Sequence, residues 1–122
     1  MAAPNIVAVT SIYGKTMGAA LGTTTTTDIL TCPANKVLKI NSIIVANIDG
    51  TSSVNATVYF YDSSATARYQ LASTVAVPAD TSLVILDKNN AIYLEESDQI
   101  EAGASATGDA VITISYEEID DA

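Results

Sequence analysis

Apolar and polar residues alternate with a period of two along most of this chain. Val54, Ala56, Val58 and Phe60 interleave with Asn55, Thr57, Tyr59 and Tyr61, the spacing of a strand with one face buried and the other wet. The longest alternating run, residues 36–48, sets Leu38, Ile40, Ile44, Ala46 and Ile48 on one side and Lys39, Asn41 and Asn47 on the other. Asp49-Gly50 with Thr51 and Ser52 then reads as a hairpin turn, glycine accepting positive φ, so residues 53–61 are expected to pair with the strand before them. Residues 68–77 form the next strand, with Tyr69, Leu71, Ser73, Val75 and Val77 inward. Short strands follow at 83–86, 92–94, 99–104 and 110–119, separated by turn signals at Pro78-Ala79-Asp80, residues 87–90, residues 95–98 and residues 105–109.

The start of the chain is less regular. Residues 6–13 carry apolar groups on both faces, which suits either a strand inside a sandwich or an arm laid across another molecule, and Pro4 favours an extended entry. Small residues make 14–22 a loop. The threonine run 23–27 leads into a strand at 28–31, which Cys32-Pro33 ends. Eight or nine short strands without a helical period predict an all-β fold, an antiparallel β-sandwich with a jelly roll as the expected topology. With 122 residues the chain reads as one domain, 1–122, whose first thirteen residues are either arm or first strand.

Composition narrows the function. The formal charge of −9, from 14 acids against 5 bases, repels phosphate backbones and argues against nucleic acid. No apolar run reaches the roughly 18 residues of a membrane helix, and the opening residues lack a signal-peptide pattern, so synthesis in a cytoplasm is expected. Histidine is absent and Cys32 is the only cysteine, expected as a small buried apolar side chain. A Ser-His-Asp triad is therefore impossible, no glycine-rich phosphate cradle occurs, and no enzymatic activity is expected.

The acids Glu95, Glu96, Asp98 and Glu101, and the later Glu117, Glu118, Asp120 and Asp121, raise the question of calcium. Their spacing does not match the twelve-residue calcium loop, so they read as solvated turn and terminal residues, and neither metal nor cofactor is expected. Paired carboxylates can hydrolyse glycosides, but tryptophan is absent and the six tyrosines sit mainly in strand positions, where packing accounts for them. Few lysines guard the sheet edges, which points to self-association, with trimers or higher rings burying Val, Ile and Tyr on the outer face of the longest strands.

The opening Met1-Ala2-Ala3-Pro4-Asn5-Ile6-Val7 and Thr10-Ser11-Ile12-Tyr13-Gly14-Lys15-Thr16 resembles that of small proteins from tailed bacteriophages of marine cyanobacteria and other marine bacteria. The resemblance extends to residues 39–43, 45–51, 77–80, 92–96 and 115–118, nearly the whole chain, and none of these segments is a catalytic motif. It departs at residues 17–27 and at 97–107, where Ser97 follows the double glutamate in place of an expected glycine. The resemblance implies a virion structural protein, foremost a capsid decoration or cementing protein bound to the major capsid protein, with Pro4, Ile6, Val7, Ile12 and Tyr13 as interaction residues of an anchoring arm. A tail, neck or fibre component, or a carbohydrate-binding module, is the alternative.

Overall fold

The computed structural model describes residues 11–120 and is nearly all β. Its strands are β1 (Ser11–Ala20), β2 (Asp28–Thr31), β3 (Lys36–Asn47), β4 (Val54–Asp62), β5 (Ala67–Val77), β6 (Ser82–Leu86), β7 (Ile92–Leu94), β8 (Gln99–Ala104) and β9 (Ala110–Asp120). One 3-10 turn, Lys88–Asn90, precedes β7, with the Asp87 carboxylate accepting the Asn89 N–H. No helix among the described residues is long and apolar enough to cross a membrane.

Two antiparallel sheets form the sandwich. The five-stranded sheet has the order β1-β9-β3-β6, with β7 pairing the start of β3, and the four-stranded sheet has the order β2-β8-β4-β5. Between them lie Leu38, Ile40, Ile43, Val45, Ile112 and Ile114 from the first sheet and Val54, Val58, Val77 and Ile100 from the second, all almost wholly buried. Burying each such side chain contributes about 1.5–3 kcal/mol.

Four expectations need correction. Residues 14–20 are not a loop but most of β1, which pairs β9 in unbroken register from Ser11↔Asp120 to Ala20↔Val111. Gly14, Gly18, Ala19 and Ala20 hide this strand in the sequence, because residues with small side chains carry little β signal. The alternation of β3 does not run straight through. The register with β9 shifts between Ile40 and Ser42, a β-bulge at Asn41, and from there Ile43, Val45 and Asn47 face the core while Ile44, Ala46 and Ile48 turn outward.

The hairpin between β3 and β4 is absent, since the two strands lie in different sheets. Residues 48–53 cross between the layers, and Gly50 does not use positive φ. The crossing is held by buried Asn47, whose Nδ2 donates to the carbonyls of Ser52 and Val77, both at 2.9 Å, while its Oδ1 accepts the Asp49 N–H. Asp49 in turn accepts the Thr51 N–H, which holds its carboxyl below the usual range. In β5, Ser73 is exposed and Ala72 is buried instead, because a bulge separates the pairs Ala56↔Val75 and Val58↔Ala72; after a second shift Tyr69 pairs with Phe60 and stays exposed, stacked on its ring. Thr74 there takes φ 50°, and its N–H donates to buried Thr57 Oγ1 at 3.0 Å.

Candidate docking surface

Pro4, Ile6 and Val7 lie outside the described residues. Ile12 and Tyr13 are strand residues of β1, an edge strand, where they point to opposite faces. Met17 and Ala19 pack against the core, so Tyr13 and Lys15 share the core-facing side, and Ile12, Gly14, Thr16, Gly18 and Ala20 face outward. On the core-facing side Lys15 Nζ reaches Glu118 Oε1 at 3.2 Å, and Lys36 Nζ reaches Glu118 at 3.6 Å and Asp120 at 2.7 Å. The hydrogen bond to Asp120 raises the Lys36 pKa. These charges close one end of the sandwich.

The antiparallel registers arrange the outer face of the five-stranded sheet in rows. One row reads Ala20, Val111, Ala46, Ser82; the next reads Gly18, Thr113, Ile44, Val84. Towards the other end of the strands comes Gly14, Glu117, Lys39, Tyr93. Of the six large apolar side chains most exposed among the described residues, four have outward positions on this face: Ile48 at 59%, Val84 at 57%, Ile12 at 54% and Tyr93 at 46%. Its charges are one of each sign, Lys39 and Glu117. They are cross-strand partners, yet neither makes an ion pair.

The outer face of the four-stranded sheet is built differently. Arg68 Nε donates to Glu101 Oε1 at 2.6 Å, and its guanidinium stands 4.9 Å from the centre of the Tyr61 ring. Glu101 is only 3% exposed, and this bond holds the Arg68 pKa above its ordinary value. Beyond β2 the threonine run folds into a turn along β8: Ala102 N–H donates to Thr27 O, Ala104 N–H donates to Gly22 O, and Thr27 Oγ1 donates to Thr24 O. A Cβ on Gly103 would lie 2.6 Å from Thr24 O and Thr25 Cα, so only glycine fits beneath this roof.

Of the acids at residues 95–101, Glu96, Asp98 and Glu101 have structural partners for their carboxylates. Buried Asp98 accepts the N–H groups of Ser63 and Glu95, and Glu96 accepts the N–H of Asn35. No group of three or more Cys, Asp or Glu among the described residues is placed to hold a metal. Ser97 takes φ 71°, the conformation that suits the glycine expected there. Cys32 is 2% exposed, its Sγ–H directed at Lys36 O at 3.2 Å, and burial pushes the thiol pKa up to about 11.

Sequence reasoning missed Ile44, Ile48 and Gly18 as surface residues, because it read the first two as core and the third as loop. No local signal marks them, since the strand that carries Gly18 is hidden by its small residues and the bulge that turns Ile44 and Ile48 outward is set by pairing with β9. In comparisons with known proteins, no protein-family model and no curated protein matches the chain.

Proposed function

We propose that this chain is a structural protein of a tailed-phage virion, a capsid decoration protein that docks on the assembled shell. One observation carries the structural part of this reading: exposed large apolar groups are concentrated on one outer sheet face, a surface suited to association, while the buried carboxylates and the thiol are engaged in internal hydrogen bonds. The sequence resemblance supplies the virion. The strand orders β1-β9-β3-β6 and β2-β8-β4-β5, with the chain passing repeatedly from one sheet to the other, support a jelly-roll reading of the sandwich. Residues 1–10, with Pro4, Ile6 and Val7, serve as the shell anchor, and the docked site is the major capsid protein.

Of the alternatives, a sugar module finds least support, because the Arg68 guanidinium already covers the Tyr61 ring. The test is copy number and position in the particle, read by quantitative proteomics and imaging. On the order of hundreds of copies over the shell, as symmetric coverage requires, supports decoration, whereas about a dozen would move the protein to the tail or neck. Purified chain should also bind empty shells, and deletion of residues 1–10 should remove that binding while the circular dichroism spectrum stays β-rich.

A further inference from the structure

We infer that two copies of this chain pair face to face through the outer surface of the five-stranded sheet, about a two-fold axis along the seam between β3 and β9, each Lys39 meeting the other copy's Glu117. The cross-strand registers lead to this arrangement. A two-fold axis in the interface, parallel to the strands, sets β3 of one copy over β9 of the other and β1 over the β6 and β7 edge. Each row then meets its own reverse, since a two-fold interface presents the same patch on both sides.

The reversed rows fit. In the row Gly14, Glu117, Lys39, Tyr93, the tyrosine falls over the glycine and the lysine over the glutamate. The row Gly18, Thr113, Ile44, Val84 puts Val84 over Gly18 and Ile44 over Thr113. In the third, Val111 falls over Ala46. Across these three rows Tyr93 and Val84 meet glycines and Val111 meets an alanine, and the only two charges on them find opposite partners.

The glycines are an independent sign. Gly within a strand costs roughly 0.5–1 kcal/mol relative to alanine, and often marks a site where another chain approaches closely. Gly14 has nothing within 4 Å of where a Cβ would stand, and Gly18 has only its neighbour's Ile112 carbonyl at 3.6 Å, an ordinary contact. Neither has positive φ. The described residues of one copy therefore give no reason for glycine at either place, whereas Tyr93 and Val84 of a second copy do.

Charge and area agree with a second copy as the occupant. On a chain of net charge −9 this face sums to zero over its rows, so two copies meet here without the repulsion their other surfaces would impose. Four strands about 4.8 Å apart and ten residues long cover roughly 650 Å², near the ~800 Å² per partner of a standard interface. A single self-complementary patch closes as a pair, whereas a ring of three needs two different patches, so this inference replaces the trimer expected from composition.

Sedimentation of the purified chain from about 1 to 100 µM, a range in which interfaces of this size associate measurably, should show a monomer–dimer equilibrium. A monomer throughout overturns the inference. G14V and G18V, which have room in the monomer, should weaken pairing at least about tenfold with the melting temperature unchanged or raised. K39E should weaken it, and K39E/E117K should restore it. Undiminished pairing in both glycine variants, or failure of the double charge exchange to rescue, overturns the arrangement. Failure here leaves shell binding, measured separately on empty particles, to decide the virion reading.

Discussion

The two outer faces of the sandwich follow the same alternating pattern in sequence and have opposite fates in the fold. The face of the four-stranded sheet is roofed by its own chain: the threonine turn lies on Gly103, and Arg68 covers Glu101 and Tyr61. Among the described residues, the face of the five-stranded sheet has no such roof over Val84 and Tyr93 and leaves Lys39 and Glu117 without ion pairs, although Val37 and Ile119 at one end of it are buried. Alternation states that a residue is outward, and not whether the outward side is finished by the molecule itself. Substitutions on the first face should therefore cost folding stability, and those on the second should cost association alone.

The sharpest test of that division is Gly103→Ala. Its added methyl has backbone atoms at 2.6 Å on the roof, so the threonine turn must lift, and denaturant unfolding should show a loss of about 3 kcal/mol. An unchanged midpoint would mean that the turn is not seated on β8. Next comes a reference belonging to neither face, the buried Cys32 thiol. Between its ordinary value of 9.0 and about 11 the unfolded chain releases a proton that the folded chain retains, so stability is full below pH 9 and falls as pH rises through this window. The loss attributable to Cys32 approaches about 2.5 kcal/mol and should vanish in Cys32→Ala. Both proteins melted from pH 8 to 11 give the difference.

A smaller effect is expected for Arg68→Ala, which strands the buried Glu101 carboxylate. Full loss of a buried partner costs about 3–5 kcal/mol, but the guanidinium is nearly half exposed, so solvent screening reduces the expected loss to about 1–2 kcal/mol. Adding Glu101→Gln should recover part of it, and additive losses in the double-mutant cycle would show that the pair is not coupled. Smallest of all, Ile48→Ser on the unroofed face should shift unfolding by less than about 0.5 kcal/mol. A larger loss would reveal a covering that Ile48, at 59% exposure, does not show.

Much of the fold was legible in the sequence. The runs at 28–31, 92–94 and 99–104 coincide with β2, β7 and β8, and the turn residues between them mark real turns. What escaped depends on contacts distant along the chain. The bulge at Asn41 has no glycine or proline to announce it, and it reverses the facing of every later residue of β3. The Asp49-Gly50 signal marks a true turn but not the sheet to which it leads, which is set by the buried amide of Asn47 reaching Val77. Of the proposed interaction residues, the sequence located Ile12 and Tyr13 on the two sides of an extended segment but not that this segment begins an edge strand beside β9. The rows of the candidate surface exist only through register between strands at opposite ends of the chain.

The position of β9 constrains how the molecule is made. It lies between β1 and β3, and among the described residues β1 has no other hydrogen-bonded neighbour, so the earliest described strand waits about a hundred residues for its partner. Until residues 110–120 have emerged, β1 and β3 expose the sides that β9 will occupy. Assembly of this layer is therefore slow and late, and a nascent polypeptide stalled before residue 110 should be the form most prone to capture by chaperones or to aggregation.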